Sequence, residues 1–417
     1  MLKPIKTSKP FTIKPELEIA PLPISIEPAI PRGMETVLAV AHHYGFKLWP
    51  SPRITRDDLA RGKALKVFEE ESPEYDFLDV PEEKTAFLRA YIESGLNAYV
   101  HPVMAFYKRP MPGIKGRKPS KEKQFALEIL GSSRSIVEAT LIKTARAILE
   151  EEGYPDIFVE VNSIGDKDAI SKFDRELNVH YRKQASSMPG LCRQAFKKDA
   201  FNLLQYNNKD CDPYRASAPK SISFLSEANR EHFKEVLEYM EILEIPYQIN
   251  NSLVGNRAYC SQMIFRIKNN DKHNTVLATG YRYDSLAKKM GLSRKEIASA
   301  GIILSFKRVL PESDKKITIR VTKKPKFFLV QLGFEAKLKS LMVIELLRKA
   351  KIAISHALTK DKLVAQLSIA ENNKFPYILI MGQKEAVEGT VVVRDMTTRS
   401  QETVPIDHLP KYLEKIK

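Results

Sequence analysis

Two stretches of this 417-residue chain carry residue types suited to charge chemistry. Gly280-Tyr281-Arg282-Tyr283-Asp284-Ser285-Leu286 reads as a turn ahead of a helix. Gly301-Ile302-Ile303-Leu304-Ser305-Phe306-Lys307-Arg308 reads as a small-residue strand running into a helix that carries an arginine. A guanidinium fixed at such a junction can hold a terminal phosphate, because it offers a planar fork of N–H donors to the phosphate oxygens. More cations gather in residues 109–123, where Lys115, Arg117, Lys118, Lys121 and Lys123 stand among prolines and glycines. The formal charge of +16 and pI of about 9.4 favour a polyanionic partner. A solvated basic surface is the plainer alternative, since charge runs usually face water.

The elements that must position these residues follow from pattern. Hydrophobic content of 43% and charged content of 28% are those of a soluble globular protein, and no apolar run is long enough to span a bilayer. Residues 1–31 are proline-rich without an apolar signal core, so an extended arm is expected there. Cys192, Cys211 and Cys260 form no CxxC pair, so neither structural zinc nor a disulfide framework is expected, which suits a reducing cytoplasm. Apolar spacing predicts helices over 34–44, 85–94, 133–152 and 227–243. Strands are expected over 46–49, 99–107, 124–130 and 157–161, a turn at 162–166, and a strand-rich stretch over 253–267. Residues 99–130 then form a hairpin with a long basic loop. Residues 168–219 are polar with an uncertain helical pattern and read as part of an inserted subdomain, about 168–226. After a lysine- and proline-rich boundary at 313–326, strands and helices alternate: strand 327–332, helix 335–349, strand 352–355, helix 360–370, strands 377–381 and 389–395, helix 408–416. That is an α/β unit of about 90 residues. The expected division is an arm 1–31, a larger domain 32–318 containing the insert, and a smaller domain 325–417.

In this order, the segments resemble the histidyl-tRNA synthetase family from about Pro31 to the C-terminus. Pro31-Arg32-Gly33 matches an opening Pro-Arg-Gly, and Tyr44-Gly45-Phe46 with Pro52 resembles the end of the class II motif 1. Glu82-Glu83-Lys84-Thr85-Ala86 resembles the family's Pro-Glu-Gly-Thr-Ala, and Gln124-Phe125-Ala126-Leu127-Glu128-Ile129-Leu130-Gly131 resembles the end of motif 2. Asn162-Ser163-Ile164-Gly165-Asp166, Leu253-Val254, Gly382-Gln383-Lys384-Glu385 and Gly389-Thr390-Val391-Val392-Val393-Arg394-Asp395 fall where the family has counterparts. The colinearity carries the resemblance, because single motifs need context to count. It implies an α/β protein: an α+β catalytic domain with a class II antiparallel sheet flanked by helices, an inserted subdomain, a C-terminal α/β anticodon-binding domain and a cytoplasmic homodimer. The implied reaction joins L-histidine to tRNA at the expense of ATP with Mg2+.

The resemblance also implies site roles. Glu83 would take the substrate α-ammonium with Thr85 beside it, Gln124 would meet the substrate carboxylate or nearby polar atoms, and Glu128 and Tyr283 would hold the imidazole. Arg308, with Arg109 and Arg117, would hold ATP. Lys115, Lys118 and Lys121 would approach tRNA. No metal site built by the protein is implied. The ordinary alternatives are a solvated Glu83, a solvent-facing Glu128 and a Tyr283 that is a core aromatic.

Four motifs depart from the family. Its Phe-Arg-x-Glu-Arg-Pro is Ala105-Phe106-Tyr107-Lys108-Arg109-Pro110 here, which puts Phe106 at the arginine. Its Leu-Val-Arg-Gly-Leu-Asp-Tyr-Tyr puts Gly255 at the catalytic arginine, with Ala258 and Cys260 at the aspartate and second tyrosine. A Glu-Arg ending is Lys307-Arg308, and the Gly-Gly of Gly-Gly-Arg-Tyr-Asp is Gly280-Tyr281. Losing one preorganised charge donor typically costs on the order of a hundred- to a thousandfold in rate. If both segments are strands, Lys108 shares a face with Phe106 and Arg257 with Gly255, each about 6–7 Å along the chain. Lys108 and Arg257 are therefore the candidate replacement cations. The expected function is a synthetase-like protein that binds tRNA, and ATP or an amino acid, with adenylation weakened or lost. An active divergent ligase is the alternative. A regulatory subunit related to histidine biosynthesis is less favoured, since that relative resembles the catalytic domain only.

Overall fold

The computed structural model describes residues 34–65, 80–98, 102–113, 122–307, 309 and 325–416. The expected arm, Arg308 and the loop residues Lys115, Arg117, Lys118 and Lys121 lie outside them.

The chain begins with α1 (Glu35–His43), which buries Val37, Val40 and Ala41, and the short β1 (Lys47–Leu48). In α2 (Arg56–Lys63), Thr55 and Asp58 form a capping box. Next comes α3 (Pro81–Glu93), with proline in its first turn and Glu82 and Glu83 at its positive end. Strands β2 (Val103–Arg109) and β3 (Lys123–Leu130) lead to α4 (Ile136–Glu151) and β4 (Ile157–Gly165). A helical stretch follows: α5 (Lys167–Gln184), α6 (Gly190–Lys198), α7 (Ala200–Gln205) and α8 (Asp212–Ala216). Then come α9 (Glu227–Ile242), β5 (Tyr247–Ile249), β6 (Ser261–Asn269), β7 (Val276–Arg282), α10 (Leu286–Lys289) and β8 (Ser299–Phe306).

These eight strands form one sheet in the order β1-β2-β3-β8-β7-β6-β4-β5. Its interior pairings are antiparallel, and only the edge strands β1 and β5 pair in parallel. Alternation along the strands sorts side chains onto two faces. Phe106, Phe125, Leu127, Ile302 and Leu304 share one core with Ile142 and Leu149 of α4. Ala105, Tyr107, Ala126, Tyr281 and Ile303 share another with Phe87 and Tyr91 of α3.

The remaining chain forms β9 (Phe327–Gln331), α11 (Phe334–Lys349), β10 (Ile354–His356), α12 (Leu363–Asn372), β11 (Tyr377–Met381), α13 (Gln383–Glu388), β12 (Thr390–Asp395), β13 (Gln401–Pro405) and α14 (Leu409–Lys415). The five strands are ordered β10-β9-β11-β12-β13, parallel over the first three and antiparallel over the last two pairings. This unit is tied to α1 and α4. Tyr44 donates its phenolic O–H to Glu345 at 2.6 Å, and Arg348 bridges Glu345 and Glu151. Burial pushes the Glu345 carboxyl up, but Arg348, Lys143 and Tyr44 outweigh it and bring it down to about 2. The motif 1 tyrosine thus serves an internal contact with the C-terminal unit.

Several expectations are corrected. Residues 162–165 continue β4 through Gly165, so no turn begins at Asn162. Residues 253–260 hold no strand. Gly280, Tyr281 and Arg282 lie in β7, where Phe265 of β6 leaves no room for a Cβ at Gly280. A disulfide, not expected from sequence, joins Cys192 and Cys211 within the helical stretch; packing of α6 against the turn before α8 brings together two thiols that no sequence motif links. Among the described residues no helix is long and apolar enough to cross a membrane.

Candidate functional site

Register places the chemistry on the α3 side of the large sheet. Ala105, Glu128 and Gly301 stand opposite one another on β2, β3 and β8, and Gly301 faces Tyr281 on β7. One step along, Tyr107 pairs with Ala126; one further, Arg109 pairs with Gln124, which pairs with Ser305. Across this face lies α3, whose residues 81–88 are all buried and which lowers Glu83 and Lys84 onto the strands.

The centre is the carboxylate of Glu128, which is 0% exposed. Lys84, 1% exposed, donates from its ammonium to Glu128. Tyr107 donates its O–H to Oε1 at 3.0 Å, and Tyr283 donates to Oε2 at 2.6 Å. The same ammonium lies 4.8 Å from the centre of the Tyr283 ring and 5.3 Å from that of Tyr281, within reach of a cation–π attraction. Burial, and then the Glu128 charge, push both the Tyr107 and Tyr283 phenols well above their ordinary range, so they remain proton donors. Beside this group, Arg109 donates to Glu83, whose other oxygen accepts the Met111 backbone N–H at 3.1 Å. Burial alone would lower Arg109; the adjoining Glu83 carboxylate outweighs it and holds the guanidinium charged. Two carboxylates thus face two cations in a buried cluster, which is the condition for charges to remain ionised away from water.

Arg282 supports the cluster from behind. Strand alternation turns it to the opposite face, where it makes a two-pronged bond to Glu138 at 2.8 and 2.9 Å and donates to the Ser132 carbonyl at 3.0 Å. Asp284 then accepts the Ser299 backbone N–H at 2.7 Å. These bonds fix the backbone on both sides of Tyr283. Burial pushes the Glu138 carboxyl up, while Arg282 and His232 pull it down to about 2.

Of the residues singled out from sequence, Glu83, Arg109, Glu128 and Tyr283 come together here. Thr85 is adjacent, but its hydroxyl donates back to the Pro81 carbonyl at 2.7 Å. Gln124 lies farther along β3 and donates to Ser305 at 3.0 Å. Lys108 does not reach the cluster: it alternates to the opposite face with Phe106 and is exposed. Phe106 itself packs edge-on against Phe125 at 5.4 Å in the α4-side core, so the positions that face the cluster are Tyr107 and Arg109. Arg257 does not reach it either. Its segment is no strand, Gly255 bends the chain at φ +59°, and the guanidinium pairs with Asp174 (3.3 Å) and Asp199 of the helical stretch. Both proposed replacement cations are therefore corrected by geometry. Arg308, Arg117, Lys115, Lys118 and Lys121 are outside the described residues. Among the described residues no group of three metal-ligating side chains converges.

Sequence reasoning missed Lys84 and Tyr107; it noted Tyr281 as a departure from the motif and gave it no binding role. The available signal was substitution: Lys84 and Tyr281 both stand where the resembling motifs carry glycine, and both place a side chain against Glu128 or its cation.

Residues 326–416 match the family described as "Anticodon binding domain". The chain is similar to the histidine–tRNA ligase of Listeria innocua, with 28% identity over 346 residues, 79% of this chain and 81% of that protein. It is similar to the histidine–tRNA ligase of Desulforamulus reducens at 24% identity, over 90% of this chain and 92% of that protein. Among solved structures, the apo histidyl-tRNA synthetase of S. aureus aligns over 89% of this chain and 92% of that one, with 22% identity and a TM-score of 0.48. The large sheet is thus followed by a second, five-stranded sheet that lies in the segment matching the anticodon-binding family.

Proposed function

We propose that the chain is a member of the histidyl-tRNA synthetase family that binds tRNA while histidine adenylation is lost or strongly weakened; the anticodon-binding match and the histidine–tRNA ligase relatives support the family reading. One observation carries the reading. Both carboxylates assigned to substrate cations, Glu83 and Glu128, are already engaged inside the protein by Arg109 and Lys84. An incoming histidine would have to displace a tethered, buried ammonium from Glu128 and Tyr283, and its own ammonium would compete with a buried guanidinium for Glu83. Displacing one partner of a buried pair is expensive because it strands the other charge.

ATP with Mg2+ is the co-substrate that family membership implies. Of the residues assigned to it, Arg109 is turned into the pair with Glu83, while Arg308 and Arg117 carry their ATP roles by resemblance. tRNA is the polyanion best supported, by the anticodon-binding match and the +16 charge. Lys115, Lys118 and Lys121 are assigned to its acceptor end by resemblance. A cytoplasmic homodimer, divided into an arm 1–31, a domain 32–318 with an insert at 168–226 and a domain 325–417, completes the proposal. An active divergent ligase is the competing reading, favoured by relatives that carry that name over about four-fifths of the chain.

The tRNA claim is tested by filter binding of the full chain to total tRNA and to random-sequence RNA of equal length across salt. We expect a preference for tRNA and a log–log salt slope of about −3 or steeper, reflecting several phosphate contacts. Equal affinity for both RNAs, or a slope near zero, argues against it.

A further inference from the structure

We infer that the Lys84 ammonium is a tethered occupant of a cation cage, and that the cage without it accepts a small free primary ammonium. The inference deepens the proposed function, since it concerns the Glu128 and Tyr283 pair assigned there to the substrate imidazole.

The cage is complete apart from its cation. Glu128 supplies the anion, Tyr107 and Tyr283 orient it with O–H bonds at 3.0 and 2.6 Å, and the Tyr281 and Tyr283 rings lie 5.3 and 4.8 Å from the ammonium. Each of these side chains is buried to within 1%. Walls of this kind recognise a cation by charge, by N–H donation and by ring faces together. Gly301 leaves the volume: a Cβ there would overlap Glu128 Oε2 and come within 2.8 Å of Lys84 Nζ. The walls are held independently of Lys84. Arg282, bonded to Glu138 and Ser132, fixes the backbone before Tyr283, and strand pairing across β2, β3 and β8 fixes Tyr107, Glu128 and Gly301. Lys84 enters only from α3, through its own four-carbon stem. Shortening that side chain empties the ammonium position and leaves the walls standing.

The test uses full-length wild type and Lys84→Ala, followed by thermal melting in n-propylammonium chloride. Potassium chloride and n-propanol at matched concentrations control for ionic strength and for a neutral alkyl chain. We expect Lys84→Ala to melt below wild type, and n-propylammonium to raise its midpoint saturably by about 2–4 °C. The wild-type midpoint should follow the potassium control. A shift equal in both proteins, or none in Lys84→Ala, overturns the inference. If Lys84→Ala does not accumulate folded, it is refolded from denaturant with and without the amine. Recovery of native fluorescence only with the amine supports the cage; no recovery with the amine overturns it. Failure here is separable from failure of the proposed function. Histidine-dependent adenylation by the wild type would refute that function and leave the cage intact, whereas an amine-insensitive Lys84→Ala would refute the cage and leave that function standing.

Discussion

Gly301→Ala is expected to destabilise the folded chain by about 3–5 kcal/mol, a large effect for adding one methyl group to a strand. The added Cβ falls on Glu128 Oε2 and 2.8 Å from Lys84 Nζ. Oε2 is also the acceptor of the Tyr283 hydroxyl at 2.6 Å. Overpacking alone costs about 1–3 kcal/mol. The carboxylate can make room only by swinging away from Tyr283 or from Lys84, and either move leaves a buried polar group without its partner. Gly190→Ala is the control, because nothing lies within 4 Å of a Cβ built there. It should stay within about 0.5 kcal/mol of wild type. Urea unfolding midpoints of the two variants measure the difference. A Gly301→Ala protein as stable as Gly190→Ala would mean that Glu128 and Lys84 are not packed against this strand.

Lys84→Met is expected to cost about 3–5 kcal/mol, and Lys84→Met combined with Glu128→Gln should recover most of it. Methionine keeps the stem's volume and removes the charge, so the single variant leaves a carboxylate buried with only phenol donors. Glutamine removes that charge in turn. The Tyr107 and Tyr283 hydroxyls can each donate or accept, so one can donate to the amide oxygen and the other accept from the amide nitrogen. A double-mutant cycle built from unfolding free energies should show a coupling of at least about 2–3 kcal/mol between the two positions. Additive losses would show that the pair is not a unit, and would remove the main reason for regarding the subsite as filled.

Much of the scaffold was legible because it rests on local pattern. The long helix at 136–151 and the strand at 299–306 follow from apolar spacing. Glu83, Arg109, Glu128 and Tyr283 were found through their place in motifs. Facing was not legible. Periodicity says that Phe106 and Lys108 share a side of β2, but which side meets α3 depends on pairing with β3 and β8, more than a dozen residues away in the chain. Arg257 failed for a related reason. The two-residue rule holds only on a strand, and Gly255 at positive φ turns the chain toward acidic partners on helices that sequence left undefined. Lys84 was hardest, because a lysine in the first turns of a helix is ordinarily solvated, and its partner Glu128 is 44 residues away. The Cys192–Cys211 bridge was hidden in the same way, its two ends brought together by helix packing with no motif to announce it.

Histidine-dependent exchange of labelled pyrophosphate into ATP, measured on the purified full chain, decides whether the Glu83–Glu128 cluster is closed to substrate. With Lys84 and Arg109 in place, the exchange rate should be the same with and without L-histidine. A rate that saturates with L-histidine and collapses in Glu128→Gln would show that the substrate displaces Lys84, and would contradict the reading of this chain as a synthetase whose amino-acid subsite is filled from within.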